Sequence, residues 1–144
     1  MTESSQEPRR QGTLAPIDEA EAWQLLDTTT VGRLGFTTDE GIAILPVNFV
    51  VHEERIYVRT DPGSTIATLA DGRDDVAFEV DYHSDLNQFG WSVLVRARAA
   101  EAEPVEAERA IAGSRRLGPW APGDRTLVIA LTPGSITGRR VSLR

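Results

Sequence analysis

The 144-residue sequence contains no cysteine and no lysine, and its only histidines are His52 and His83. Without cysteine the chain cannot form disulfides, thiolate metal sites or a cysteine nucleophile. Without lysine it cannot form a Schiff base or the lysine-containing phosphate loop of nucleotide hydrolases. All 15 basic residues are arginine. Any bound anion must therefore be held by guanidinium, hydroxyl or backbone N–H groups.

Long apolar segments and a basic surface are also missing from the sequence. No apolar run reaches the length that crosses a bilayer, and residues 1–16 lack the apolar centre of a signal peptide. The formal net charge of −7 argues against nucleic acid and anionic membranes as partners. We expect a soluble cytoplasmic protein with a disordered tail at residues 1–16 and one domain at residues 17–144.

Hydrophobic patterning predicts a mostly β fold with a few short helices. Asp18 is a candidate N-cap with Glu21 as its capping-box partner, which predicts a helix over residues 18–27. Further helices are expected at 65–69 and from Pro104 to Gly113. Strands are expected at 30–37, 42–51, 55–60, 76–80, 91–102, 126–131 and 136–141, with a polar loop at 81–90 and a turn at Pro133-Gly134. Six or seven strands in so short a chain favour a closed or half-closed antiparallel barrel.

The sequence has no catalytic signature, but five segments are candidates for ligand contact, the last of them being Ile136-Thr137-Gly138-Arg139-Arg140 near the C-terminus. Pro46-Val47-Asn48-Phe49 places a proline and a polar amide inside a strand, which leaves backbone groups free to face a ligand. Arg59-Thr60 precedes a turn and the helix start at Ser64-Thr65, where N–H and hydroxyl groups favour an anion. Trp91-Ser92 opens a strand. The fourth segment is the proline-flanked Trp120, because a rigid tryptophan in a loop often covers a flat group.

Taken singly, each segment has an ordinary structural explanation, such as a bulge, a helix cap or a packed core side chain. Neither histidine stands in a nucleophile or metal-binding pattern. We therefore predict no metal site and name no catalytic residue.

Taken in order, these segments resemble the pyridoxamine-phosphate-oxidase-like proteins of the FMN-binding split-barrel superfamily. The resemblance covers residues 17–141 and also includes Val31-Gly32-Arg33-Leu34 and Thr137-Gly138-Arg139-Arg140. It implies a split barrel that forms a homodimer with two flavin sites at the interface. Residues 46–49 would run beside the flavin ring and residues 59–65 would hold the phosphate. Trp91 and Ser92 would line the site, and Trp120 could reach the ring from the partner subunit.

The sequence departs from this family at Thr65, where relatives often have lysine. A charged hydrogen bond contributes about 1.5–3 kcal/mol and a neutral one about 1 kcal/mol. We therefore expect weaker phosphate binding here than in those relatives.

Several functions remain compatible with the sequence. The first is an FMN-dependent oxidoreductase acting on a small-molecule substrate or electron donor. The second is a reductase that uses the deazaflavin F420, whose acidic tail could contact Arg115, Arg116 and Arg125. The third is a flavin or haem carrier without turnover, with His52 or His83 as the haem ligand. The fourth is a scaffold that has lost its cofactor.

Overall fold

The computed structural model describes residues 12–113 and 127–143. The described chain folds mainly into antiparallel strands, with two α-helices and one 3₁₀ helix. The helices are α1 (Glu19–Leu26), the 3₁₀ helix (Ile66–Asp71) and α2 (Pro104–Ala112). The strands are β1 (Thr13–Ile17), β2 (Val31–Thr38), β3 (Gly41–Asn48), β4 (Val50–His52), β5 (Arg55–Thr60), β6 (Arg73–Ser84), β7 (Phe89–Glu101) and β8 (Leu127–Ser142).

All eight described strands belong to one curled sheet. Its order is β3-β2-β6-β7-β8-β5-β4, with β1 added beside β8. The two end strands of this path, β3 and β4, are separated in sequence only by Phe49. The sheet must therefore curl round until its ends meet, which produces a half-barrel. The predicted mostly β split-barrel fold is confirmed, with eight strands in place of six or seven.

The core lies inside the curl and follows the period-two alternation of the strands. Inward side chains on β7 include Val93, Val95 and Ala99, all fully buried. Phe49, at the point where the sheet ends meet, packs edge-on against Phe78 with ring centroids 4.9 Å apart. The outward positions of the same strands leave polar and apolar side chains on the outer wall.

Both predicted helices that flank the barrel are confirmed. Asp18 caps α1 by accepting a hydrogen bond from the Glu21 N–H at 2.8 Å. The Glu21 carboxylate bonds to the Arg140 guanidinium of β8, which ties α1 to the sheet. The second helix, α2, begins at Pro104 because its missing N–H is not needed in the first turn.

A partly buried polar contact fastens α2 to strand β5. The Tyr57 hydroxyl and the Arg55 guanidinium both donate to the Glu106 carboxylate, the latter at 2.6 Å. These bonds lower the pKa of Glu106, first through the tyrosine and then through the arginine. Burial is the main cause that raises the pKa of Tyr57 to about 12.

The structure differs from the sequence prediction at the N-terminal end of the domain. Residues 13–16, expected in the tail, belong to β1, which pairs with β8 from Thr13↔Ser142 to Ile17↔Gly138. The partner strand lies more than a hundred residues away, so no local pattern could predict this pairing. The rest of the predicted tail, residues 1–11, lies outside the described residues.

Two other predictions were wrong because sheet pairing overrides local polarity. The expected loop at 81–90 is mostly strand, since Asp81 to Ser84 pair with Ser92 to Phe89. The expected turn at Pro133-Gly134 lies inside one continuous strand, β8. There Arg96 pairs with Ser135 and Ala97 with Pro133, so Gly134 is the extra residue of a bulge. A bulge accommodates both the proline and the bending of a long curled strand.

No described helix combines the length and the apolar character needed to cross a membrane.

Candidate functional site

The segment expected to bind phosphate forms one wall of a polar pocket, which we call the hydroxyl pocket. Its cavity of about 620 Å³ is lined by Thr37, Thr38, Asp39, Glu40, Gly63, Ser64, Thr65, Thr68 and Arg73. The Ser64 hydroxyl forms a hydrogen bond with the Thr60 hydroxyl at 2.5 Å and accepts a second one from the Ala67 N–H at 3.2 Å. Ser64 therefore caps the 3₁₀ helix, as expected, and Thr65 faces the cavity beside it.

Charge in the hydroxyl pocket is not well suited to a dianion. Its guanidinium, Arg73, already donates to the Thr37 carbonyl at 3.0 Å and to the Asp75 carboxylate at 3.1 Å. Asp39 and Glu40 add two carboxylates to the lining. Arg59 is not among the lining residues, because consecutive strand residues face opposite sides and Thr60 is the one that turns inward.

Ser92 lies in a second cavity, on the outer wall of β6, β7 and β8, which we call the sheet groove. Trp91 borders this cavity, but its side chain is buried in the core on the other face of the sheet. Strand register places Asp81, Ser92 and Arg139 side by side in one row across the three strands. The next row is His83, Gly90 and Val141. Gly90 has no side chain, so the second row has a depression at its centre.

The sheet groove has the size and lining of a small-molecule site. Its volume is about 510 Å³, and it is lined by Asp81, Tyr82, His83, Ser84, Asp85, Gln88, Phe89, Gly90, Trp91, Ser92, Arg139, Val141 and Leu143. Tyr82 and Phe89 also border it, but their rings, which lie 6.3 Å apart, share the face of Trp91 rather than that of Ser92. Within residues 12–113 and 127–143, the Arg139 guanidinium has no carboxylate in ion-pair contact.

The segment Pro46–Phe49 spans both faces of the wall beside this groove. Val47 and Phe49 are buried in the core, whereas Pro46 is exposed opposite Arg33. Asn48 is half-buried. Proline is tolerated here because β3 ends the strand path and needs no donor on its free edge.

An ion cluster connects this segment to the sheet groove. Arg33 donates to Glu79 at 2.6 Å and to Asp81 at 2.5 Å. Burial is the main cause that raises the pKa of Glu79, although Arg33 opposes it. Two carboxylates sharing one guanidinium leave the cluster with a net negative charge.

The structure therefore separates the predicted site residues into two groups. Arg73 begins β6 beside the hydroxyl pocket, whereas Asp81 lies near its other end beside the sheet groove, roughly 25 Å away along the strand. Thr60, Ser64 and Thr65 lie at the first end, and Trp91 and Ser92 at the second. The predicted contact from Trp120 lies outside the described residues.

Comparison with known proteins assigns the family. The sequence matches the Pyridoxamine 5'-phosphate oxidase family over residues 18–140. The chain belongs to the pyridoxamine 5'-phosphate oxidase family. An uncharacterized protein of Mycobacterium tuberculosis is 31% identical to it over 138 residues, which cover 93% of this chain and 90% of that protein.

Two solved structures share the fold of this chain. The FAD binding protein of Mycobacterium smegmatis is 29% identical, with a TM-score of 0.71 over 88% of this chain and 97% of that one. A FAD-binding protein of Mesorhizobium loti has a TM-score of 0.74 over 92% of this chain and 99% of that one. The M. loti protein is only 20% identical to this chain, so the similarity shows a shared fold and nothing further.

The residues of this family member fit the parts of a flavin unequally. The sheet groove, with an open floor at Gly90 and the apolar side chains of Val141 and Leu143, fits a planar ring. The hydroxyl pocket offers the Ser64, Thr65 and Thr68 hydroxyls to a polyhydroxy chain or a phosphate. It offers little positive charge, because Arg73 is already engaged and the neighbouring Thr65 is neutral.

Sequence reasoning missed His83 and Arg139 as groove residues. The sequence predicts His83 in a loop, and it marks Arg139 only as part of the candidate segment 136–140, without a position beside the other site residues. Both reach the groove through strand register, Arg139 opposite Ser92 and His83 opposite Gly90. The only local signal was the glycine before Trp91, which marks a place where the sheet surface is open.

Proposed function

We propose that this protein binds a flavin, FMN in the first instance, at sites completed by a second copy of the chain. The observation that carries this proposal is the separation of the two cavities. Roughly 25 Å of strand divides the hydroxyl pocket from the sheet groove, which is more than one flavin mononucleotide spans. If one flavin places its ring in the sheet groove and its phosphate in the hydroxyl pocket, the two cavities must come from different subunits.

The outer wall between the cavities supports pairing with a second copy. Ile42 and Ile44 on β3 are 81% and 67% exposed, and Gly35 and Ala77 continue the same row with little side-chain bulk. A flat apolar patch of this kind is typical of an interface. In a symmetric dimer this wall faces its own copy, so each hydroxyl pocket can approach the partner's groove.

In this arrangement the flavin ring is bordered by Pro46, Asn48, Trp91 and Ser92. The phosphate chain of a flavin shared with the partner subunit contacts Ser64 and Thr65. The flavin supplies hydride transfer when bound, and the protein supplies orientation and exclusion of water. No side-chain acid or base is needed for that step. We propose an oxidoreductase on this basis, supported by the FAD binding of the 29% identical M. smegmatis protein.

The first experiment is an absorbance spectrum of the purified protein after equilibrium dialysis against FMN, FAD, F420 or haem, with sedimentation of the same samples. We expect retained FMN or FAD and a dimer. Bleaching of the flavin band by NADH or NADPH without oxygen then tests turnover. Retention of F420 alone, or of haem alone, contradicts the flavin proposal.

Ile44→Glu tests whether the apolar wall completes the site. Ile44 is largely exposed in a single chain, so a charge there leaves the folded monomer intact. We expect a monomer that retains no flavin. The matched control is Val105→Glu on α2, at a position that is 60% exposed on another surface. An Ile44→Glu protein that remains dimeric and retains flavin contradicts the two-subunit site.

A further inference from the structure

The sheet groove contains one positive charge that the fold does not use. Of the charged groups that line it, Asp81 is bound to Arg33, and Asp85 lies at the hairpin end. Arg139 has no ion-pair partner among the described residues. A single available guanidinium beside a carboxylate suits a ligand with one negative charge better than a dianion.

Strand register places a second donor next to that guanidinium. Ser92 and Arg139 are direct cross-strand partners with side chains on the same face, so their Cβ atoms lie about 5 Å apart. The Ser92 hydroxyl has no protein partner in the described part of the chain. The planar guanidinium of Arg139 and the Ser92 hydroxyl beside it can together donate hydrogen bonds to the two oxygens of a carboxylate.

The rest of the groove is shaped for a flat apolar body. Gly90 leaves the floor open, and a Cβ there would lie 3.1 Å from the Tyr82 carbonyl oxygen and 3.3 Å from the His83 Cβ. Val141 and Leu143 form the apolar side, and both are exposed in the single chain. The polar row therefore stands at one end of a shallow apolar slot.

We propose that the sheet groove binds a planar aromatic monocarboxylate, with its carboxylate on Arg139 and Ser92 and its ring over Gly90. The identification of this molecule as the substrate that meets the flavin rests on the proposed function. The binding itself does not, because every residue used belongs to one chain.

Calorimetric titration of the full-length protein tests the site with benzoate, its neutral counterpart benzamide and the non-planar cyclohexanecarboxylate. We expect benzoate to bind at least about tenfold more tightly than benzamide, the ratio expected for a charged hydrogen bond. Cyclohexanecarboxylate should bind more weakly than benzoate. Equal affinity for benzoate and benzamide overturns the assignment.

Substitutions locate the binding. Arg139→Gln should weaken benzoate binding about tenfold or more and leave benzamide binding unchanged. Arg139→Lys should bind benzoate with an affinity between those of the wild type and Arg139→Gln, because it keeps the charge and loses the planar guanidinium. The control is Arg98→Gln, which removes the same charge from an exposed pair with Asp74. Wild-type affinity in Arg139→Gln overturns the proposal. If that variant does not fold, the benzoate-to-benzamide ratio of the wild type decides.

Flavin absorbance of the same samples separates this inference from the proposed function. Benzoate selectivity in a protein that retains no flavin supports the groove assignment and counts against the flavin site. Retained flavin without benzoate selectivity overturns the groove assignment alone.

Discussion

The hydroxyl pocket and the sheet groove lie at opposite ends of strands β6 and β7, yet they are built in different ways. The hydroxyl pocket consists of two short local segments, a hairpin turn at Thr37–Glu40 and a helix start at Gly63–Thr68. The sheet groove consists of positions on three strands that meet only through register. Local segments can be recognised in a sequence, whereas cross-strand rows require the fold.

The two cavities also differ in charge. The hydroxyl pocket combines hydroxyls with two carboxylates and an engaged arginine, and the sheet groove combines apolar side chains with an available arginine. A single flavin would use them for different parts, the ring at the groove and the phosphate chain at the pocket. Substitutions that change one cavity at a time test this division.

The largest effect is expected when the groove is filled. Ser92→Phe places a ring on the outer wall beside Trp91, so we expect loss of flavin binding by about a hundredfold or more, since the bound ring must leave its apolar contacts. Equilibrium dialysis measures the affinity. Arg98→Phe, an exposed outer-wall change on the same strand, is the control. Flavin binding that survives Ser92→Phe removes the groove from the flavin site.

A smaller effect in the opposite direction is expected in the hydroxyl pocket. Thr65→Lys restores a cation near the phosphate, so we expect FMN to bind about tenfold more tightly, the difference between a charged and a neutral hydrogen bond. Riboflavin, which lacks the phosphate, should bind as before. An equal gain for both ligands would mean that Thr65 does not face the phosphate.

The smallest effect on flavin binding is expected when a contact outside both cavities is removed. Glu106→Gln weakens the bonds from Tyr57 and Arg55 that fasten α2, at a cost of about 1–3 kcal/mol in the free energy of unfolding. Flavin affinity should change little. Thermal or urea unfolding measures the loss. Val105→Gln, an exposed change on the same helix, should leave stability within about 0.5 kcal/mol.

The same contact predicts a pH dependence. Because the folded chain lowers the pKa of Glu106, its contribution is complete above the ordinary value of 4.5 and is lost as pH falls below it. Because the folded chain raises the pKa of Tyr57, its contribution is lost as pH rises from 10.0 towards about 12. Glu106→Gln should flatten the acid limb. An unchanged acid limb would show that other carboxylates control it.

Local chemistry explains which elements the sequence could predict. Strand β5 and helix α2 have the predicted bounds, since alternation identifies Arg55–Thr60 and the Pro104 and Gly113 signals delimit the helix. The strand at Asp81–Ser84 looked like a loop because its residues are polar, and its stability comes from pairing with β7. Arg139 could not be placed beside Ser92, because 47 residues separate them and only register joins them.

The most direct test of the central proposal is complementation between two defective variants. Ser92→Phe blocks the groove, and Ser64→Asp sets a charge against the phosphate in the hydroxyl pocket, so neither protein alone should retain flavin. After subunit exchange at equal concentrations, half of the dimers are mixed and each has one intact site, so we expect flavin at about one quarter of the wild-type level. If the mixture retains no more flavin than the separate variants, the site lies within one chain and the two-subunit account is wrong.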